Sequence, residues 1–402
     1  MYDVIVAGAG PAGNVAALQL ADLGHDTLVV DFRTNLGDKL CTGIIGRECA
    51  LRYPPHPDDI YHEATSATVV APSGATHDVD NAEPQAYVIN RVRYVASLAK
   101  RAEEAGASFR LGERITGVLR TENGIRITTK SEAAESIYEA RALVVATGFN
   151  SPLLHMVGLY RDPGQAYMVG CQAVVDASDL SQTEVYVGDS IAPGSFGWLV
   201  PMVDNRALVG VVSREKLNGH LNHFIDNLKD SGKINGVIKE PERWGIPIQP
   251  LRKTYADRIV VAGDAAGLVK PTTGGGIYYA ILSGEIAASA LHEALAADDF
   301  SELQLSAYEV EWKRLIGREL RVGFYARRLF ESIGDSNRER LINQFLSTKV
   351  QRELLASKNF SFDWHSSVIN SIMKHSELGQ AIRSLGPIVT PFLSKLQRSS
   401  VS

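Results

Sequence analysis

The chain reads as an α/β protein, and three observations predict this. An apolar strand, a glycine-rich turn and a helix open the sequence. A second glycine-rich turn follows another apolar strand near residue 262. Between the two lies a run of short strands punctuated by turn signals. The two glycine turns are assigned to one discontinuous domain, residues 1–165 plus 252–298. Residues 166–251 read as an inserted antiparallel sheet, with a hairpin at 66–86 contributing to its side, and residues 299–402 as a C-terminal helical region.

Residues 3–7 (DVIVA) read as a buried strand, 15–23 as a helix stopped by Gly24, and 27–30 as a second buried strand ending on Asp31. The turn between them is Gly8-Ala9-Gly10-Pro11-Ala12-Gly13. This places G-x-G-x-x-G at the first turn of a βαβ unit, with an acid 18 residues after the last glycine. Gly8 permits the tight turn, Gly10 lets a pyrophosphate approach the backbone, and Gly13 lets helix and strand pack closely. The helix N-terminus offers free N–H groups and the positive end of its dipole. Asp31 can accept hydrogen bonds from both ribose hydroxyls of an adenosine. The unit predicts a Rossmann-like domain holding a dinucleotide.

A glycine-rich loop follows, with Gly37, Gly43 and Gly46 around Cys41-Thr42, irregular until about Arg47. A hairpin is expected at 67–80, a short strand at 87–89, and a helix at 91–105 capped by Asn90. Residues 108–110, 115–119 and 125–129 read as strands. Residues 142–146 (ALVVA) form an apolar strand ending at Thr147-Gly148, where a cofactor can come close. Strands follow at 169–175, 183–187, 197–200 and 207–212, then a helix at 218–231 and an extended stretch at 244–251. The strand 259–262 runs into Gly263-Asp264-Ala265-Ala266-Gly267, and residues 271–276 (PTTGGG) open a long helix at 277–295. No second G-x-G-x-x-G opens a helix. One dinucleotide therefore has a dedicated fold, and a nicotinamide donor, NAD(P)H, would bind transiently or give way to another external electron donor.

Composition narrows the class. The 402 residues are 45% hydrophobic and 22% charged, ordinary for a soluble globular protein. The net charge of −5 leaves no basic footprint for nucleic acid. The three cysteines, Cys41, Cys49 and Cys171, form no CxxC pair and no zinc pattern, so no metal is expected. No run of 18 apolar residues would span a bilayer. The chain begins on its first strand, which reads as the absence of a leader. The expected location is cytoplasmic, with peripheral contact on the inner face of the membrane left open.

Residues 263–284 (GDAAGLVKPTTGGGIYYAILSG) resemble the geranylgeranyl reductase family, flavoproteins whose fold is like that of p-hydroxybenzoate hydroxylase. Residues 192–201 (APGSFGWLVP) are similar to that family's substrate-side motif, with Phe196 in place of Tyr, Val200 in place of an aromatic, and Met202 in place of Lys. Cys41-Thr42-Gly43 stands where the family has a Cys-Gly loop near the flavin, and Thr147-Gly148 where Asp-Gly is common. The resemblance implies FAD as cofactor and reduction of isolated double bonds in a polyprenyl lipid, pigment or quinone side chain. It implies that Arg91 approaches the FAD phosphate and that Asp264 holds a ribityl hydroxyl. It places Pro11, Ala12, Phe32, Arg33, Thr42, Gly43, Ile115, Ala146, Gly148, Gly263, Gly275, Gly276 and Ile277 beside the cofactor.

The chemistry of these residues extends the reading. Reduced flavin carries negative charge near N1 and the C2 carbonyl. A helix starting at Gly276-Ile277, behind Gly274 to Gly276, would aim N–H groups at that edge. An isolated alkene is a poor hydride acceptor and needs a proton on its other carbon. Cys41 is the one thiol expected beside the ring, as proton donor or shield, against the plainer reading of a small buried residue. Phe196, Trp198 and Pro201 would line an apolar slot, or else are ordinary sheet core. A flavin monooxygenase or halogenase is the competing reading, although only Trp198 of W-x-W-x-I-P is present; a flavin electron carrier to a quinone is a third. Residues 312–330 place six basic residues among apolar ones. The arrangement suits either a helix packed on the cofactor domain or one lying on an anionic bilayer.

Overall fold

The computed structural model describes residues 1–39, 41–162, 164–177, 180–346 and 361–374, together with 382, 392 and 395. Among these residues the strands form three sheets. The first is built on parallel pairings. Tyr2–Ala7 lies between Thr27–Asp31 and Glu135–Val145, with Ile259–Val261 and Ser108–Leu111 on the outer sides. Its central strands are almost wholly inaccessible, as expected for a sheet covered on both faces. Glu135–Val145 is longer than the apolar run suggests. Its first half alternates exposed and covered residues as the third strand of a meander with Arg114–Arg120 and Ile125–Lys130.

Pro11–Asp22 packs against this sheet and against the long helix Ile277–Ala297. Gly284 makes that crossing close: a Cβ there would stand 2.4 Å from the Ala12 carbonyl oxygen. The capping expected at Asn90 is present, its side chain accepting from the Arg93 N–H at the start of Arg91–Glu104. The glycine-rich loop resolves earlier than its irregularity suggests, into the strand Ile44–Gly46 and the helix Arg47–Arg52. Ile44–Gly46 joins Ala86–Ile89 and Ile60–Ala64 in a small sheet.

The second large sheet runs Gly236–Pro247, Tyr167–Asp176, Arg206–Ser213, Phe196–Pro201, Thr183–Val187, Ser66–Val70, Thr76–Asp80. It is antiparallel except where Thr183–Val187 meets Ser66–Val70 in parallel, which brings the early hairpin in as the sheet's edge. Gly236–Pro247 extends well before the expected stretch. Its Pro241 falls where the pairing with Tyr167–Asp176 shifts register, a bulge that tolerates the missing N–H. One face, carrying Ala173, Leu199, Val209 and Val211, packs on the helix His220–Asp230. The other, carrying Met168, Trp198, Val200, Leu208 and Ile246, looks toward the cofactor domain.

The helix Glu302–Ser332, capped by Ser301, spans the expected basic-apolar stretch. Trp312, Ile316, Leu320, Val322 and Leu329 are buried, and the Trp312 indole donates to Thr254 Oγ1 at 2.9 Å. Arg327 is 5% exposed, paired with Glu331 at 3.0 Å and donating to the Thr272 carbonyl and to Ser195. The apolar side is therefore spent on packing and one of the basic residues is internal, so this helix is a packed one rather than a bilayer-surface helix. No helix among the described residues is long and apolar enough to cross a membrane.

Candidate functional site

A cavity of about 620 Å³ opens where the first glycine turn, the end of Glu135–Val145 and the second glycine turn converge. Its wall includes Gly8, Gly10, Pro11, Ala12, Asp31, Phe32, Arg33, Cys41, Arg91, Ile115, Ala146, Gly148, Gly263, Asp264, Gly276 and Ile277. Gly13, Thr42, Gly43 and Gly275 are not on that wall.

The glycines divide cleanly. Gly8 has φ +106°, and a Cβ on it would lie 2.5 Å from the Ala146 carbonyl oxygen. A Cβ on Gly13 would lie 1.9 Å from the Gly8 carbonyl oxygen. Both are packing glycines. A Cβ on Gly10 would meet nothing within 4 Å, because Gly10 faces the open cavity. The helix Pro11–Asp22 begins there with no side chain capping it, so its first N–H groups are left for a ligand. Asp31, 8% exposed, uses both carboxylate oxygens to clip this turn: Oδ2 accepts the Ala9 N–H at 2.7 Å and Oδ1 the Arg33 N–H at 2.8 Å. Each oxygen keeps a second acceptor site for a ribose hydroxyl. Phe32 lies between the guanidinium groups of Arg33 and Arg114, 4.3 and 4.4 Å from its centroid.

Arg91 lies on the cavity wall, and its Nη1 also donates to the carbonyl oxygens of Gly37 and Lys39, so it pins the 37–39 turn; its Nε is buried without a partner among the described residues. Cys41 is half-buried at the cavity wall, and its Sγ accepts the Gly43 N–H at 3.4 Å. Thr42 Oγ1 donates to Gln172 Oε1 at 3.0 Å, the same oxygen that accepts from the Trp198 indole at 3.2 Å. Gln172, which belongs to no sequence motif, thus ties the cysteine loop to the inserted sheet.

At the second turn, Asp264 lies in the short helix Gly263–Ala266 and pairs with Lys39 Nζ at 2.6 Å. Arg161 lies over the Phe149 ring at 5.5 Å, and its Nε and Nη2 are buried without partners among the described residues. Burial pulls its guanidinium down, against the pull of Asp264. Thr147 Oγ1 is buried and unpartnered among the described residues. Open space at Gly10, uncapped helix N–H groups and the orphaned Arg91 Nε and Thr147 Oγ1 on residues of one cavity wall fit a dinucleotide with a ribityl chain.

Phe196 and Trp198 do lie on the sheet face that looks toward the cofactor domain, but neither reaches the cavity wall. Trp198 is 7% exposed, laid over Gly210 and packed edge-on against Trp244 at 6.4 Å. Pro201, three residues on from Trp198, falls on the opposite face by the two-residue period of a strand. The wall is instead made by Trp244, Ile246 and Phe149. Ile246 supports the glycine loop: a Cβ on Gly274 would stand 3.1 Å from its Cδ1.

A strap from the C-terminal region closes the back of that loop. The N–H groups of His365 and Ser366 donate to Glu319 Oε2 at 2.9 and 2.8 Å, and His365 Nδ1 accepts from the Thr272 hydroxyl. His365 Nε2 donates to the Phe362 carbonyl at 2.9 Å, and burial keeps the ring neutral. Burial first, and then the Lys270 charge, push it from 6.5 down to about 3. The unfolded chain takes up this proton below about 6.5 while the folded one refuses it, so stability is complete above that pH and is lost as pH falls toward 3. The melting temperature should therefore fall more steeply between about pH 6.5 and 4 in the wild type than in His365→Gln. Parallel curves would remove His365 from the account.

The comparisons with known proteins agree with this geometry. Residues 72–289 match the family model described as FAD dependent oxidoreductase. The digeranylgeranylglycerophospholipid reductase of Methanocaldococcus jannaschii is 30% identical over 85% of this chain and 90% of its own length. Digeranylgeranylglycerophospholipid reductase 1 of Methanopyrus kandleri is 30% identical over 90% of this chain and 98% of its own. Among solved structures, a geranylgeranyl bacteriochlorophyll reductase-like protein from Thermoplasma acidophilum superposes with a TM-score of 0.83 at 22% identity, covering 96% of this chain and 99% of that one. The chain belongs to the geranylgeranyl reductase family of FAD-dependent oxidoreductases.

Proposed function

We propose that this protein saturates isolated carbon–carbon double bonds in a polyprenyl chain of the geranylgeranyl type. The observation that carries this is near full-length similarity to two digeranylgeranylglycerophospholipid reductases. The cavity supports it. The surface that the inserted sheet presents beside the glycine loop is apolar, Trp244 and Ile246, with Phe149 close by, which suits a hydrocarbon chain.

Bound FAD in its reduced form supplies the hydride. The protein's share is placement, charge and the proton. Gly8, Gly10, the first helix N-terminus and Asp31 hold the adenosine diphosphate end. Asp264 holds the ribityl chain, exchanging Lys39 for it. The N–H groups at the start of Ile277–Ala297 would stabilise negative charge on a reduced ring bound against them. Cys41 holds the proton for the second carbon, and the Gly43 N–H that points at its sulfur steadies the thiolate left behind. Electrons come from an external donor, since a single dinucleotide turn is present. The substrate is membrane-resident, so the protein works in peripheral contact with the bilayer, through a surface other than the packed Glu302–Ser332 helix.

The test is direct. Chemically reduced protein is mixed with a geranylgeranyl lipid under anaerobic conditions, and the product mass is read. Each saturated bond adds two hydrogens, and Cys41→Ser should slow saturation roughly 100-fold, within the usual range for a lost general acid. Flavin that reoxidises without change in lipid mass would mark an electron carrier. Addition of an oxygen atom in air would mark a monooxygenase.

A further inference from the structure

Lys270 heads the glycine loop and is 4% exposed. Its backbone closes the loop on itself: its N–H donates to the Gly275 carbonyl at 3.1 Å, and its carbonyl accepts the Gly274 N–H at 2.8 Å. The side chain runs back under the same loop. A Cβ on Gly275 would stand 3.2 Å from Lys270 Cε and 3.8 Å from Nζ. The ammonium donates to the Phe362 carbonyl at 2.8 Å, lies 4.7 Å from the Phe362 ring centroid, and faces Asp363 Oδ1 at 3.6 Å. Asp363 is 1% exposed, and its Oδ2 accepts the N–H groups of Glu48 and Cys49 at 2.9 and 3.3 Å.

This pair is poorly explained by stability. Removing two charges from water costs several kcal/mol each, and an apolar pair of the same shape often serves a fold as well or better. Its orientation is more telling. The positive end lies against the glycine loop. The negative end has its Oδ2 on the N-terminus of Arg47–Arg52, held by two N–H groups and the helix dipole, while Oδ1 faces the ammonium. This pair therefore contributes a positive field at the loop, inside a region where charge is little screened. The cavity lies against the same loop, at Gly274 and Gly276.

We propose that Lys270 is a charge-tuning residue for the cofactor: held beneath the 274–276 loop by the 361–366 strap, its ammonium favours the reduced, anionic form of FAD bound across the loop. Burial pulls the Lys270 ammonium below its ordinary range while Asp363 opposes that. Negative charge arriving across the loop steadies the ammonium in turn, the same coupling seen from the other partner. The strap sets the potential through Phe362 and Asp363, some ninety residues beyond the loop it serves.

The experiment measures the affinity of the protein for reduced and for oxidised FAD, by the midpoint potential of the bound cofactor and by titration. It compares the wild type, Lys270→Met, and the charge-free double variant Lys270→Met/Asp363→Asn. The preference for reduced FAD should fall fivefold or more in both variants, a drop of about 20 mV for a two-electron couple. The double variant should melt no lower than the wild type. Where both variants hold FAD, a fall under fivefold in the double variant overturns the proposal. Where only Lys270→Met holds FAD, the same threshold applies to it. Loss of FAD from both overturns it as well, because Lys270 is then a residue of the fold alone. No lipid enters the measurement, so its failure is distinguishable from failure of the polyprenyl reading.

Discussion

Gly10→Val is expected to abolish FAD binding while the protein still folds. Gly10 has φ −81° and ψ −176°, an extended conformation that valine adopts freely. A Cβ there meets nothing within 4 Å, so the side chain enters empty space in the protein alone. That space is where the pyrophosphate must come down onto the helix N–H groups. Affinity should drop more than about 100-fold, equivalent to about 2.8 kcal/mol. The loss at the helix cap should be no more than about 1 kcal/mol. Gly13→Ala is the contrast. Its new methyl would stand 1.9 Å from the Gly8 carbonyl oxygen, so backbone must move and stability should fall by about 3 kcal/mol or more. Flavin absorbance after gel filtration and thermal melts separate the two results. A yellow, fully loaded Gly10→Val protein would show that the turn is not the site.

The second large effect is expected at Asp264. In the protein alone its carboxylate is held by Lys39, an ion pair the ribityl chain must exchange for itself. Asp264→Ala removes the anchor that sets how far the ring end reaches toward Gly274 to Gly276. A misplacement near 1 Å costs roughly 100-fold in rate. FAD retention should weaken about tenfold, since one charge-assisted hydrogen bond is worth about 1.5 kcal/mol or more. Melting should move little, because Asp264 is part-exposed and its partner Lys39 returns to water. Asp264→Asn, which keeps one acceptor, should fall between. Unchanged turnover in Asp264→Ala would take the residue out of the site.

The outcome at particular residues shows where the sequence is legible. Gly8, Gly10, Gly13 and Asp31 could be read because their spacing encodes a local turn, and local geometry depends on neighbours in sequence. Asp264 was singled out by a resemblance, in the stretch between an apolar strand and a glycine loop, rather than by spacing. The first half of Glu135–Val145 and most of Gly236–Pro247 were not, since their charged residues face solvent and apolar pattern carries the strand signal. The wall residues Trp244, Ile246 and Phe149 were hidden for a different reason. Which aromatic of a sheet reaches a neighbouring domain is decided by register and by what stands in front, and Trp198 loses that place to Trp244. Gln172 had no signal at all: a lone amide on a strand becomes informative only when Thr42 and Trp198 are seen to share it. The basic-apolar stretch in Glu302–Ser332 had the composition of a surface helix. Only the partners of Trp312 and Arg327 assign its faces.

The order in which the chain visits its two large sheets has a cost during synthesis. Tyr2–Ala7 is made first, yet one of its neighbours is Glu135–Val145, and that strand waits in turn for Ile259–Val261. The hairpin Ser66–Val70 and Thr76–Asp80 has an open flank until Thr183–Val187 has been translated. A nascent chain ending before residue 247 completes neither sheet. Each closure joins segments about a hundred residues apart, which is entropically costly and slow. For most of its time on the ribosome the protein therefore carries unpaired strand edges, the feature most prone to pairing with the wrong chain.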